Sequence, residues 1–194
     1  MLTLSLPLIL GSGSPRRQEI MQNAGFNFSV LIKPTDETFP ESMAVHEIPV
    51  FLAKQKLSEF GEEFNDKIVL CADTVVILNG HVLNKPADED EAKEMLQRLS
   101  GHKHTVVTGV AYKVSDNVSS FSDACLVHFN KLTEAEIDYY IKIHKPMDKA
   151  GAYGIQDFIG MVGVRSLEGS FYTVMGLPIH KVYEHLKPFV SFWF

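Results

Sequence analysis

Leu8-Ile9-Leu10 is a short aliphatic run that stops at Gly11-Ser12-Gly13-Ser14-Pro15, the pattern of a brief buried strand closed by a tight loop. Gly11 and Gly13 would give that loop backbone angles that larger residues resist. Ser14 before Pro15 has the form of an N-cap followed by proline at the first helical position, so a helix is expected over 15–24, with Gly25 as its stop. Residues 26–32 read as the next strand, and 33–38 as a polar loop. Leu52, Ala53, Leu57 and Phe60 then mark one face of a helix over 48–60. Residues 67–72 are almost continuously apolar, as expected of a strand covered on both faces. That run ends at Asp73-Thr74, after which Val75-Val76-Ile77-Leu78 resume the pattern. Asn79-Gly80 is a hairpin turn leading into 81–83. A clear amphipathic helix follows over 88–99, with Asp88 and Glu91 at capping-box spacing and Ala92, Met95, Leu96 and Leu99 as its buried stripe. Strands over 104–114 and 121–129 are expected to form a long antiparallel pair around a polar turn at 115–120. Thr133 and Glu136 cap a further helix over 133–144, which ends before Pro146, and a last helix runs to about Leu186.

The totals narrow the class without touching the chemistry. At 194 residues and 45% hydrophobic, the chain suffices for one domain, or one domain with two lobes interleaved in sequence. Its net charge of −6 argues against bulk attraction to nucleic acid or to an anionic membrane. An anionic substrate would need a local basic pocket, and a divalent metal with it. Cys71 and Cys125 both lie inside apolar runs and read as buried free thiols in a reducing compartment. No apolar run reaches the length of a membrane span, and the first residues lack the charged region of a signal peptide, so a cytoplasmic globular protein is expected.

Several stretches carry candidate chemistry. A Gly/Ser loop before a helix N-terminus points backbone N–H groups and the positive end of the helix dipole at one spot. Arg16 and Arg17 stand in that first turn, where cations oppose the dipole unless an anion is bound. The reading is a phosphate site, distinct from both the P-loop and the dinucleotide fingerprint by its spacing. Lys56 lies on the apolar stripe of helix 48–60, where it either lays its stem along the core or reaches into a cleft. Asp73, between two buried strand segments, is expensive unless it is paired, hydrogen-bonded or holding a metal. By pattern alone Asp36 and Glu37 belong to a solvated turn. Lys85 is held extended by Pro86, and the small-residue run 148–157 lets backbone pass close to a ligand. Within that run Gln156 offers an amide donor and acceptor suited to a base edge. His102 and His104 have no cysteine or acidic neighbour, and no zinc site is expected there.

Ser12-Gly13-Ser14-Pro15-Arg16-Arg17 resembles the S-x-S-P-R-R signature of the Maf family. Further blocks resemble the family in the same order: Ala72-Asp73-Thr74, Asn84-Lys85-Pro86, Leu99-Ser100-Gly101 with Thr108-Gly109-Val110, residues 149–156 and residues 174–178. The resemblance covers nearly the whole chain. It implies a single domain over 1–194 with an α/β fold similar to the inosine triphosphate pyrophosphatase type: a mixed sheet with flanking helices, in two interleaved lobes around a central cleft. It implies a nucleoside triphosphate pyrophosphatase, in which water attacks and a nucleoside monophosphate and pyrophosphate leave. The block Ala150-Gly151-Ala152-Tyr153-Gly154-Ile155-Gln156 resembles the branch acting on dTTP and UTP.

Carried over by position, the resemblance makes Asp73 the catalytic acidic residue, a proton acceptor or metal ligand. It makes Glu37 a second acidic position near a divalent metal, magnesium or manganese. Arg16, Thr74 and Gln156 match positions that set substrate choice, and Ser12, Arg17, Lys56 and Lys85 match polar residues around the phosphates. A homodimer follows by family analogy. Two positions depart from the pattern: Asp157 stands where a glycine usually follows the glutamine, and Thr173 at a variable position often occupied by asparagine. Both flank the expected base pocket. The alternatives are a pyrophosphatase for a modified purine nucleotide such as 7-methyl-GTP, a nucleotide-binding regulator of division without turnover, and a structural phosphate-binding protein, which leaves Asp73 unexplained.

Overall fold

The computed structural model describes residues 2–192 and divides them into two compact units. The first comprises the chain through Asp73, Thr108–Asp123 and the segment from Gly176 on; the second comprises Thr74–Val107 and Ala124–Met175. In chain order the elements are β1 (Thr3–Leu4), β2 (Leu8–Leu10), α1 (Pro15–Asn23), β3 (Ser29–Val30), α2 (Ile48–Ser58), β4 (Ile68–Leu78) and β5 (His81–Leu83). There follow α3 (Glu89–Leu99), β6 (Lys103–Val114), β7 (Asn117–Phe129), α4 (Glu134–His144), α5 (Phe158–Gly163), β8 (Val164–Glu168), α6 (Phe171–Met175), α7 (Ile179–Leu186) and β9 (Val190–Phe192).

The main sheet is mixed, with strand order β3-β2-β4-β6-β7-β8 and β5 paired to β4. β2 lies parallel to both β3 and β4, whereas β5 on β4 and β8 on β7 are antiparallel. β1 and β9 form a separate two-stranded ladder. Three of the four unit boundaries fall inside β4, β6 and β7, and the fourth follows α6. In the first unit, Ile9, Val69, Cys71 and Ala111 from the sheet pack with Ala53, Leu57 and Phe60 around α2 in one buried cluster. Among the described residues no helix is long and apolar enough to cross a membrane.

The capped helices form as the spacing predicts. Asp88 accepts from the Glu91 N–H at 2.9 Å, and Thr133 and Glu136 make the full reciprocal box. Three expectations are corrected, and one stretch adds elements that none foresaw. First, β3 has two residues instead of the seven of 26–32, because Val30, Leu31 and Ile32 are exposed and little apolar burial favours a longer ladder. Second, the 115–120 turn contracts to Ser115-Asp116: β7 begins at Asn117, its polar outer residues held by strand pairing that hydropathy does not register. Third, 67–72 and 75–78 are one unbroken strand, so Asp73 sits in mid-strand and not at a strand's carboxyl end. In addition, α5 and β8 arise in a stretch with no periodic signal, and residues 171–178 contain the short helix α6.

Candidate active site

The β2–α1 corner shows why its glycines are there. Neither Gly11 nor Gly13 has a positive φ, contrary to expectation. A Cβ on Gly11 would lie 2.5 Å from Cys71 Sγ and 3.1 Å from the Phe60 ring, and one on Gly13 would meet Ile32 Cδ1 at 3.0 Å. The requirement is close approach, to β4 at Gly11 and to Ile32 at Gly13, not unusual torsion. The Gly11 N–H continues the ladder to the Leu70 carbonyl at 2.8 Å, and the chain then leaves the sheet alongside Cys71-Ala72-Asp73.

Ser14 occupies the N-cap position of α1 but its side chain makes no capping bond; its N–H donates instead to Ser12 Oγ at 3.3 Å. Ser12 is buried, and its hydroxyl also accepts from Arg17 Nη1 at 3.1 Å. The same guanidinium also bonds backbone: Nη1 donates to the Ala72 carbonyl at 2.8 Å and Nε to the Gly176 carbonyl at 2.8 Å. This guanidinium therefore ties α1 to β4 one residue before Asp73 and to the segment before α7. Burial lowers its pKa most; the charges of Asp73 and Glu37 oppose that lowering and the charge of Arg16 adds to it. Arg16, half-buried, is thus close enough for its charge to reach the same point.

Asp73 is 8% exposed. Lys56 Nζ donates to its Oδ1 at 2.5 Å and pairs with Glu37 Oε1 at 2.8 Å. The inward stripe of α2 thus resolves the Lys56 alternatives: Leu52, Ala53 and Leu57 are buried, and the lysine reaches a carboxylate pair instead of water. Glu37, expected by pattern to be a solvated turn residue, is bound to that ammonium while its side chain keeps 45% exposure. Gln55 Nε2 holds the 33–38 loop against α2 through the Thr38 carbonyl at 3.1 Å. Burial, only partly offset by Lys56 and Arg17, pushes the Cys71 thiol up to about 12, which leaves it an inert packing residue.

Ser12, Arg17, Glu37, Lys56 and Asp73 are therefore gathered in the first unit: Ser12 bonds Arg17, Glu37 and Asp73 share Lys56, and the charges of Asp73 and Glu37 reach Arg17. Thr74, Lys85 and Gln156 belong to the second unit. Thr74 follows Asp73 along β4 and projects from the opposite face, Lys85 is exposed, and Gln156 is half-buried. Gln156 Oε1 is itself buried and has no hydrogen-bond partner. Thr173, the second departure from the pattern, is fully buried on α6.

The pattern overlooked Lys113. This buried residue of β6 donates to the Phe60 and Gly61 carbonyls at 2.7 and 2.6 Å, holding the chain just beyond α2. A lysine inside the apolar run Val110-Ala111-Tyr112-Lys113-Val114 was the signal for it. Tyr140 was also missed, and its inward position on an amphipathic helix looks like ordinary core.

Asp73 and Glu37 approach the same ammonium, so their carboxylates converge on one point that attracts cations. Among the described residues no group of three or more His, Cys, Asp or Glu is placed to hold a metal. Two hard oxygen donors with the remaining positions left to water and substrate suit magnesium or manganese better than a transition metal that wants nitrogen or sulfur.

A family model described as "Maf-like protein" matches residues 7–189. The chain belongs to the Maf family. A family member from Cytophaga hutchinsonii, named dTTP/UTP pyrophosphatase, is 44% identical over 93% of this chain and 83% of its own length. Maf relatives of the same name from Phocaeicola vulgatus and Bacteroides thetaiotaomicron are each 44% identical over 93% of this chain and 94% of theirs. Among solved structures the chain is similar to the Staphylococcus aureus Ham1 protein, with a TM-score of 0.47 at 13% identity over 63% of this chain and 71% of that one.

Proposed function

We propose that this chain is a nucleoside triphosphate pyrophosphatase acting on dTTP and UTP. Water adds to the α-phosphorus, the bond to the bridging oxygen of the β-phosphate breaks, and the nucleoside monophosphate and pyrophosphate leave. Family membership and the shared name of its relatives support the reaction class. The observation that carries it to this chain's residues is Asp73, a carboxylate inside a buried strand, on an ammonium shared with Glu37.

In this reading Asp73 takes the proton from the attacking water. Lys56 holds that carboxylate in place and offsets phosphate charge. Arg17, its fork turned to carbonyls, supplies a fixed positive field beside Asp73 and keeps Ser12 and the α1 N-terminus in register with β4. Arg16 adds to the cationic surroundings of a substrate that carries about four negative charges, against the −6 of the chain as a whole. Stabilisation of charge developing on the leaving pyrophosphate is the main catalytic contribution. Asp73 and Glu37 would hold a magnesium or manganese ion; when bound, it supplies Lewis acidity and charge neutralisation. Gln156 and Thr74 select the base, and the unpartnered Gln156 Oε1 is an acceptor suited to a pyrimidine N–H. Two buried free cysteines and work on a nucleotide pool fit a cytoplasmic location.

The test is a panel of common and modified nucleoside triphosphates with Mg²⁺ or Mn²⁺, detecting pyrophosphate separately from free phosphate. The expected result is pyrophosphate and monophosphate from dTTP and UTP ahead of the purines. Release of free phosphate, or of no product from any nucleotide, would overturn the reading.

A further inference from the structure

The 148–157 segment is fastened to α4 by an arrangement that the base-selecting role of Gln156 does not itself require. Tyr140, wholly buried on α4, donates its hydroxyl proton to Asp157 Oδ2 at 2.8 Å. The phenol oxygen in turn accepts from the Gly154 N–H at 3.0 Å. One phenol therefore grips the chain on both sides of Ile155-Gln156. Burial, followed by the negative charge of Asp157, raises the Tyr140 pKa far above its ordinary value, so the hydroxyl remains a donor.

Asp157 stands at the N-cap of α5, where a carboxylate ordinarily accepts from the first helical N–H groups, yet it makes no capping bond. Its oxygen instead lies between the Tyr140 hydroxyl and Lys149 Nζ, the latter at 3.7 Å. The Asp157 N–H turns back to the Gly154 carbonyl at 3.1 Å. Gly154 closes directly over the carboxylate: a Cβ there would sit 2.5 Å from Oδ2. Behind it, a Cβ on Gly160 would meet the Ile155 carbonyl oxygen at 2.2 Å, so α5 packs on the loop backbone itself. At the centre of this clamp Gln156 keeps a buried, unpartnered acceptor.

We infer that Tyr140 and Asp157 are positioning residues for substrate selection, holding the Gln156 amide in one orientation so that it can discriminate among bases. The inference rests on the base-selecting role of Gln156 proposed above. Its weight lies in Asp157, which leaves a helix N-terminus uncapped to take the tyrosine.

The experiment compares Tyr140→Phe, Asp157→Ala and Asp157→Asn with the wild type, each first checked for an unchanged thermal transition profile. Three quantities are read: pyrophosphate release from dTTP, UTP and dATP; affinity for the α,β-imido analogue of dUTP, which cannot release pyrophosphate; and amide hydrogen exchange over 153–157. Tyr140→Phe and Asp157→Ala are expected to speed exchange at Gly154 and Asp157, raise KM for dTTP and weaken the analogue by about tenfold, and shrink the preference over dATP by a similar factor, while kcat falls less than about threefold. Asp157→Asn keeps an acceptor for the Tyr140 hydroxyl and should restore most of the preference. Faster exchange with unchanged KM, analogue affinity and base ranking would overturn the inference, as would unchanged exchange. A wild-type protein that turns over no nucleotide would instead defeat the proposed reaction, and analogue affinity with exchange would still decide the clamp.

Discussion

Two aspartates in this molecule have nearly the same burial and the same kind of neighbour, and they are set up for different work. The Asp73 side chain is 12% exposed with Lys56 at 2.5 Å; the Asp157 side chain is 15% exposed with Lys149 at 3.7 Å. Around Asp73 the compensation is charge for charge: one ammonium, a second carboxylate from Glu37, and a guanidinium next door on the Ala72 carbonyl. Around Asp157 a neutral phenol makes the short bond, and Lys149 leans to Asp148 at 2.8 Å instead. The first arrangement can exchange its ammonium contacts for a cation or a phosphate, because every partner is an ion on a side chain. The second can only hold shape, because its short bond comes from a buried neutral hydroxyl that itself holds a loop N–H. Burial and residue type do not distinguish a chemical aspartate from a positioning one; the identity of the closest donor does.

The sharpest test of that contrast is Asp73→Asn, expected to lower kcat by about a thousandfold with nucleotide affinity nearly intact. Asp157→Asn should leave kcat within about twofold. Steady-state release of pyrophosphate alongside analogue binding separates the two, and comparable losses of kcat would erase the distinction. Next in size is Lys56→Ala, which strands Asp73 without its cation and should destabilise the fold by about 3 kcal/mol in urea titrations. Adding Asp73→Asn to it should recover a good part of that loss, since the stranded charge is then gone.

A smaller effect concerns the other buried polar pair of the second unit, His104 with the Tyr153 hydroxyl at 2.8 Å. Burial, aided by the charge of His128, pushes the His104 pKa down to about 4. The unfolded chain takes up this proton below about pH 6.5 while the folded chain resists until about 4. Stability is therefore complete above the unfolded value and falls as pH drops, by about 2 kcal/mol at pH 5 from this residue alone. His104→Phe should flatten that part of the pH profile in urea unfolding, and an unchanged slope would assign it to other groups. The smallest effect expected is that of Lys149→Ala, within about 1 kcal/mol, because the Tyr140 hydroxyl keeps its bond to Asp157.

Much of the local architecture was legible. The boxes at Asp88 with Glu91 and Thr133 with Glu136 start α3 and α4 because a side chain and an N–H three residues apart meet in any helix. Asn79-Gly80 turns where expected, with both residues at positive φ, because few other pairs tolerate that backbone. The Lys56 stripe on α2 could be read from spacing alone. Less legible were the start of β7 and β8, which rest on strand pairing, the brevity of β3, and the six-residue helix α5. Hydropathy has no period there to detect.

What the sequence by itself determined is the family, the longer helices with their inward faces, and the residue types available for the chemistry, since these depend on neighbours within a few positions or on ordered motifs. Only the tertiary structure decided which donor each polar group meets. It took Arg17 to the Ala72 and Gly176 carbonyls, brought Lys56 to Asp73 and Glu37, turned Asp157 from its helix to Tyr140, and made Gly11 a matter of clearance from Cys71. Those partners lie between 5 and 159 positions apart in Arg17's case, and 17 apart for both Lys56 with Asp73 and Tyr140 with Asp157. Hydrogen bonds and ion pairs act over about 3 Å, and only the packed fold brings such positions within that reach.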